Sequence, residues 1–303
     1  MRAAGWQRLG EVVTSPADAY VPRSIRRSRR EMDRIREGLV EIVANEHPTT
    51  VRHIFYVAVS KGLIAKTEAE YKGTVVRLLT QLRRSGEIPF DWIADNTRWI
   101  LRTRTYRSRE EALSHVAQTY RRNLWDGRDV RVEVWAEKDA IASLLYEAAA
   151  EFCVPVMPFR GYSSVSYLYS LAEEIRAHGL PTYVYYFGDH DPSGLDIERF
   201  VTKTVRELAP DAEIHVERAA VTPEQIEEWH LPERPTKETD TRAKDFHGGS
   251  VDVDAVSPAI LTNLTTGLIL QHLDLAEVDR LRRVEEAERE TLRQVAAAFG
   301  GAA

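Results

Sequence analysis

The chain has 303 residues, of which 43% are hydrophobic and 29% are charged. This composition is typical of a soluble globular protein with room for two domains, and no stretch approaches the roughly 18 consecutive apolar residues of a membrane span. The single cysteine, Cys153, excludes an intramolecular disulfide and a cysteine-based zinc cluster. The N-terminus lacks the apolar core of a signal peptide, so we expect a cytoplasmic protein without membrane contact.

Charge is distributed unevenly along the chain. The net charge is −6, but residues 1–130 hold 24 Lys and Arg against 16 Asp and Glu, whereas residues 131–303 hold 17 against 31. A basic front half and an acidic back half suggest a phosphate-binding module joined to a metal-binding module. The alternative is an accident of charged surface helices.

Residues 1–47 are predicted to be a basic N-terminal arm or helix. Prolines and weak periodicity predict a loose arm at the start, and arginines become dense between Arg23 and Arg36. The dense segment could form a solvated helix face or a helix that contacts a nucleic-acid backbone.

Residues 48–125 are predicted to form a winged-helix domain. A buried helix with a threonine cap is expected from Thr49 to near Gly62, and an amphipathic helix from Glu68 to Ser85. Apolar residues at Trp92–Ile93 and Trp99–Leu101 predict a short two-stranded wing. A helix-turn-helix with a wing commonly binds duplex DNA, and a plain helical subdomain is the alternative. The arginines outside the apolar stripe of the second helix are the expected DNA contacts: Arg77, Arg83 and Arg84.

Residues 126–303 alternate between strand and helix patterns. We expect an α/β fold with a doubly wound parallel sheet, followed by a charged C-terminal helix from Leu275 to Phe299. The predicted strands are Val130–Trp135, Cys153–Met157, Thr182–Phe187 and Glu213–Val216.

Charged side chains follow three of these strands. Glu137 and Lys138 follow the first, Arg160 follows the second, and Asp189 and Asp191 follow the third. Because the carboxyl ends of parallel strands meet at one edge of a sheet, the three carboxylates should lie together. Carboxylate oxygens suit Mg²⁺, and Lys138 or Arg160 could hold a phosphate. Each carboxylate taken alone could instead be a surface ion pair or a helix cap.

These residues resemble a known family. The segments Val134–Lys138 and Gly188–Gly194 resemble the paired motifs of the Toprim fold, which topoisomerases, bacterial primases and some nucleases share. Arg160–Tyr162 resembles the Gly-Tyr-Pro motif of the topoisomerase VI A subunit and its meiotic double-strand-break relative, with Ser163 in place of the proline. Asp252–Ala255 resembles a late acidic segment of that group, and Val51–Tyr56 resembles its tyrosine motif. The resemblance runs from about residue 49 to residue 261, and the stand-alone topoisomerase mini-A is the nearest type.

The resemblance implies roles for individual residues. Tyr56 would be the nucleophile, Arg52 its partner at the scissile phosphate, and Glu137, Asp189 and Asp191 the ligands of Mg²⁺. It also implies double-stranded DNA as substrate and a homodimer in which the tyrosine of one subunit meets the metal of the other. The chain has no Walker A sequence, so an ATPase subunit, if one is needed, would be a separate protein.

Three hypotheses follow for the function. The first is Mg²⁺-dependent DNA cleavage through a covalent link to Tyr56. The second is a Toprim nuclease in which metal-activated water attacks and Tyr56 is a packed core residue. The third is a DNA-binding module without catalysis.

Overall fold

The computed structural model describes residues 27–93, 103–235, 246 and 248–300. Within these ranges, helices predominate at the N-terminal end, and a parallel β-sheet with helices on both faces forms the larger part of the chain. The chain therefore has the predicted α/β architecture.

The N-terminal helices form a core of their own. Helix α2 (Val51–Ser60) begins where the Thr50 side chain accepts a hydrogen bond from the His53 amide, as the sequence predicts. The predicted second helix is continuous in space, with a π-helical turn in its middle. Buried leucines, isoleucines and valines from these helices pack into one apolar cluster. The described helical segments are α1 (Arg29–Glu46), α2, α3 (Glu68–Glu70), the π turn (Tyr71–Val76) and α4 (Arg77–Arg84).

The first half of the predicted wing is not a regular strand. Residues Phe90–Trp92 form a 3₁₀ turn after Pro89, whose ring nitrogen has no hydrogen to donate to a strand ladder. Ile93 makes one isolated parallel bridge to Thr49. Residues 98–101, the predicted second strand of the wing, lie outside the described residues, as does most of the basic arm at residues 1–26.

The described sheet has four parallel strands in the order β2-β1-β3-β4. Side chains alternate between its two faces, as pleating requires. On β1, Val132 and Val134 enter one apolar cluster, whereas Trp135 enters the cluster on the opposite face. The strands are β1 (Arg131–Ala136), β2 (Val156–Pro158), β3 (Thr182–Phe187) and β4 (Ile214–Ala220).

Helices cover both faces of this sheet, so the fold is doubly wound. Helices α6 and α10 pack together on one face, and α7 and α8 pack together on the other. Helix α5 packs along the C-terminal helix α11, where Tyr120 and Arg122 at its end contact Glu288. The helices are α5 (Arg109–Thr119), α6 (Asp139–Ala150), α7 (Val165–His178), α8 (Pro192–Leu208), α9 (Pro223–Glu228), α10 (Pro258–Leu270) and α11 (Leu275–Gly300).

One predicted strand began at the wrong residue, and two helices were missed. Strand β2 begins at Val156 rather than Cys153, because Cys153 has a φ of 57° and ends the turn after α6. Helices α5 and α10 were not predicted. The α10 sequence mixes β-branched residues with a glycine, so its helix depends on packing against α6 rather than on intrinsic propensity.

In the described ranges, no helix combines the length and the hydropathy that crossing a membrane requires.

Candidate functional site

The candidate site begins where β1 and β3 end side by side. Ala136 pairs with Phe187, and the amide of Glu137 donates to the Phe187 carbonyl over 2.9 Å. The next residue after β3 is Gly188, where an added Cβ would lie 2.5 Å from Oε2 of Glu137. The glycine therefore allows the Glu137 carboxylate to reach the loop that follows β3.

Glu137 binds that loop through a backbone hydrogen bond. Its Oε2 accepts from the Asp189 amide over 3.0 Å, and the Tyr186 hydroxyl lies 3.5 Å away. The side chain is buried. Burial, and then the charge of Asp189, raises the pKa of Glu137 to about 7.

The ammonium of Lys138 lies among three carboxylates. Its Nζ is 2.7 Å from Oδ2 of Asp189, 3.0 Å from Oδ2 of Asp254 and 3.3 Å from Oδ1 of Asp252. Burial alone would lower the pKa of Lys138, but these three charges raise it well above its usual range. Lys138 is therefore the internal cation of the site. The sequence predicted a phosphate contact for it.

Asp191 has two other partners. Its Oδ1 caps α8 by accepting from the Gly194 amide over 2.8 Å. Its Oδ2 lies 3.3 Å from the Arg234 guanidinium, which also lies 3.4 Å from Oδ1 of Asp252. Asp191 therefore combines a structural role at the helix N-terminus with an ion pair at the site.

A late segment of the chain completes the site. His190 and Val251 pair backbone to backbone as an antiparallel bridge, and the Val253 amide donates to Oδ1 of Asp189 over 2.8 Å. This pairing places Asp252 and Asp254 beside the β3 loop. We call Glu137, Asp189, Asp191, Asp252 and Asp254 the acidic cluster.

Asp252 and Asp254 were not among the predicted site residues. Their spacing repeats that of Asp189 and Asp191, and this repeat is the signal that could have identified them. Their position depends on the long-range bridge to His190, which no local pattern predicts.

Tyr56 reaches the acidic cluster of its own chain. Its hydroxyl donates to Oδ2 of Asp252, 196 residues away in sequence, and its side chain is buried. Burial, then the charge of Asp252 and the hydrogen bond to it, raises the pKa of Tyr56 above its usual range, although Arg52 and Lys138 oppose the shift. The Tyr56 hydroxyl is therefore harder to ionise in this arrangement than that of a free tyrosine.

Two further cations surround Tyr56. The Lys66 ammonium lies 5.0 Å from the centre of the tyrosine ring. Arg52, one helical turn before Tyr56, places its guanidinium 4.8 Å from the centre of the Tyr71 ring and 3.7 Å from Glu68. Arg52 is near enough to act on Tyr56 by its charge, and Lys66 is a contact that the sequence did not predict.

The other predicted basic residues are four arginines on helix α4 and after strand β2. Arg77 and Arg84 are exposed on α4, and Arg83 covers the ring of Phe90 at 4.7 Å. Arg160 follows β2, where its guanidinium lies 2.7 Å from Asp139. The Arg160 backbone lies beside the site, because the amide of the next residue, Gly161, donates to the Glu137 carbonyl over 3.2 Å. The predicted contacts of these four arginines with DNA or phosphate stay predictions.

The acidic cluster fits a hard divalent cation in its donor chemistry. All of its ligating atoms are carboxylate oxygens, and Oδ1 of Asp254 is buried without a hydrogen-bond partner. In the side-chain positions of the described residues, no three Asp, Glu, His or Cys side chains are arranged to hold a metal ion. Lys138 and Arg234 pair with the carboxylates instead.

The role of Lys138 as internal cation predicts a large loss of stability in Lys138→Met. The substitution keeps most of the side-chain volume but leaves three neighbouring carboxylates without their shared cation. We expect the free energy of unfolding at pH 7 to fall by about 3–5 kcal/mol, measured by urea denaturation. The exposed Lys203 on α8 is the matched control, since Lys203→Met should change it by less than about 0.5 kcal/mol. Equal effects of the two substitutions would contradict this role.

The raised pKa of Glu137 predicts a pH-dependent effect of Glu137→Gln. Between the ordinary value of 4.5 and about 7, the folded chain keeps a proton that the unfolded chain has lost, so stability falls as the pH rises through this window. The side-chain amide of the variant can still accept from the Asp189 amide and cannot ionise. Relative to the wild type, the variant should therefore be more stable at pH 8 than at pH 5, measured by urea denaturation with a chelator present.

The matched control for this measurement is Glu228→Gln, at an exposed carboxylate on α9. Its effect on stability should be about the same at both pH values. If Glu137→Gln also has the same effect at pH 5 and pH 8, the pKa of Glu137 is not raised in the folded chain.

Comparisons with known proteins assign no family to this chain. No protein-family model matches it, and no curated protein matches its sequence at a significant level. Any inference about function therefore depends on the residues and contacts described above.

Proposed function

We propose that this chain is a Mg²⁺-dependent DNA-cleaving protein of the topoisomerase VI A type, with a winged-helix domain and a Toprim domain. The observation that carries the proposal is the contact between Tyr56 and Asp252. The contact places a tyrosine, which the resemblance requires as the nucleophile, beside an acidic cluster at the edge of a parallel sheet. A buried tyrosine hydroxyl needs a hydrogen-bond partner in any protein, and here that partner belongs to the acidic cluster.

The fold supports the proposed Toprim domain. Glu137 and Asp189 follow adjacent central strands of a parallel sheet, at the edge where such folds bind ligands. Glu137, Asp189 and Asp191 would hold the Mg²⁺. The ion, when bound, would stabilise negative charge on the phosphate oxygens.

The residues around Tyr56 suit an exchange of phosphate esters. In the proposed step, the Tyr56 oxygen forms a bond to phosphorus, the bond from phosphorus to one DNA oxygen breaks, and the leaving oxygen takes up a proton. Asp252 holds the hydroxyl hydrogen before the step and can accept it. Arg52 and Lys66 place positive charge near the phenolate that forms. One phosphate ester replaces another, so the exchange needs no ATP.

We propose double-stranded DNA as the substrate, bound through the basic front half of the chain, including the outward face of α4. We also propose a homodimer in which each protomer cuts one strand, acting in the cytoplasm with or without a separate ATPase subunit. Tyr56 contacts the acidic cluster of its own chain. Each protomer of the dimer would therefore contain a complete site, and no site would be shared between two chains.

A metal-dependent nuclease is the second candidate, and one observation favours it. Tyr56 is buried, its hydroxyl is hydrogen-bonded to Asp252, and its pKa is raised. These are the properties of a hydroxyl that stays protonated. A water molecule would then be the nucleophile, and a metal ion held by the same acidic cluster would activate it.

A denaturant-trapping assay on end-labelled duplex DNA with Mg²⁺ tests the two candidates. The proposed function predicts labelled DNA covalently attached to the wild-type protein and no adduct with Tyr56→Phe. Tyr71→Phe is the matched control, because it keeps the ring that Arg52 covers and should keep the adduct. Cleavage with free ends that survives Tyr56→Phe and is lost in Asp189→Asn would favour the nuclease. Absence of cleavage by the wild-type protein would contradict both.

A further inference from the structure

A small cavity lies between the N-terminal helices and the sheet domain. It has a volume of about 50 Å³. Residues from the start of α2, from α6 and from the segment that leads into α10 line it. The acidic cluster shares Asp254 with it, but the other walls belong to neither the predicted metal ligands nor the tyrosine.

Two buried polar atoms of the cavity walls have no hydrogen-bond partner. They are Oγ1 of Thr49 and Oδ1 of Asp254, and the two residues are only 3% and 4% exposed. A buried polar atom without a partner costs free energy, so native chains seldom leave two at one place. Their shared location indicates that something polar binds there.

Both atoms can accept a hydrogen bond, since one is a carboxylate oxygen and the other is a hydroxyl oxygen. His53 offers no acceptor to the cavity. Its Nδ1 lies 3.0 Å from the Asp254 carbonyl oxygen and its Nε2 lies 3.5 Å from the Glu46 carboxylate, so both ring nitrogens face groups that can only accept.

The charge around the cavity is mainly negative. Asp254 contributes one carboxylate, the Glu46 carboxylate lies 3.5 Å from Nε2 of His53, and Glu147 lines the exposed mouth. Lys138 pairs with the other oxygen of Asp254 and offsets part of this charge. The remaining walls are apolar, including Ile141, Leu144, Val256 and Leu261.

We propose that this cavity binds a small primary alkylamine. An alkylammonium group has three N–H donors and no acceptor, so two N–H groups can bond to Thr49 and Asp254 while the third faces the mouth of the cavity. Its positive charge complements Asp254, Glu46 and Glu147, and its alkyl chain suits the apolar walls. The volume corresponds to about four water-sized positions, enough for an ammonium group and a short carbon chain.

The site would connect the two parts of the chain. Thr49 and His53 belong to the helix region that carries Tyr56, whereas Asp254 and Leu144 belong to the sheet domain. A bound amine would hold the two together. This inference stands apart from the proposed cleavage reaction, because it requires neither Mg²⁺ nor DNA.

Saturation-transfer NMR with propylamine as the probe tests the proposal, with propan-1-ol as the uncharged analogue of equal size. We expect propylamine to bind at least about tenfold more tightly than the alcohol, because hydrogen bonds to a charged group are the stronger ones. Thr49→Val removes one acceptor and should weaken propylamine binding about tenfold. Leu144→Trp should abolish it by filling the cavity.

Tyr146→Phe is the control on the same helix, because Tyr146 is exposed and does not line the cavity. Its propylamine binding should equal that of the wild type. Thr49→Val should also unfold at a denaturant concentration no lower than the wild type, since the lost hydroxyl has no partner. Equal binding of amine and alcohol, no binding of either, or unchanged amine binding in Thr49→Val would overturn the proposal. The cavity would then hold water alone.

Discussion

The site depends on the ion pairs that the Lys138 ammonium makes with three carboxylates. Asp189, Asp252 and Asp254 come from two segments far apart in the chain, and their charges repel one another. One buried cation shared by all three makes their approach favourable, whereas removal of the cation would leave charges that the interior cannot solvate. The geometry of the acidic cluster therefore depends on Lys138, which lies two residues after the end of β1.

The same cluster joins the N-terminal helices to the sheet domain. Tyr56 donates to Asp252, and His53 contacts the backbone of Asp254, so α2 is held by the segment that Lys138 fixes. The cavity beside His53 lies on this junction. If the cluster bound a different cation, the change would therefore affect helix α2 directly, through the contacts of Tyr56 and His53.

Much of this arrangement could be predicted from the sequence. The strand Thr182–Phe187 was predicted with its observed bounds, because a short apolar run between turn residues is a strong local signal. The edge position of Glu137 and Asp189 followed from the topology of parallel strands. The position of Asp252 beside Lys138 could not be predicted, since it depends on backbone pairing between His190 and Val251. The inward direction of the Lys138 side chain could not be predicted either, because carboxylates far away in the sequence determine it.

We propose that the acidic cluster is a cation site that Mg²⁺ can enter. Calorimetric titration of the metal-free protein with MgCl₂ tests it most directly, and Asp189→Asn is the comparison, since it keeps the shape of the side chain and removes its charge. The account predicts saturable binding of one Mg²⁺ per chain in the wild type and its loss in the variant. No binding to the wild type, or equal binding to both proteins, would contradict it.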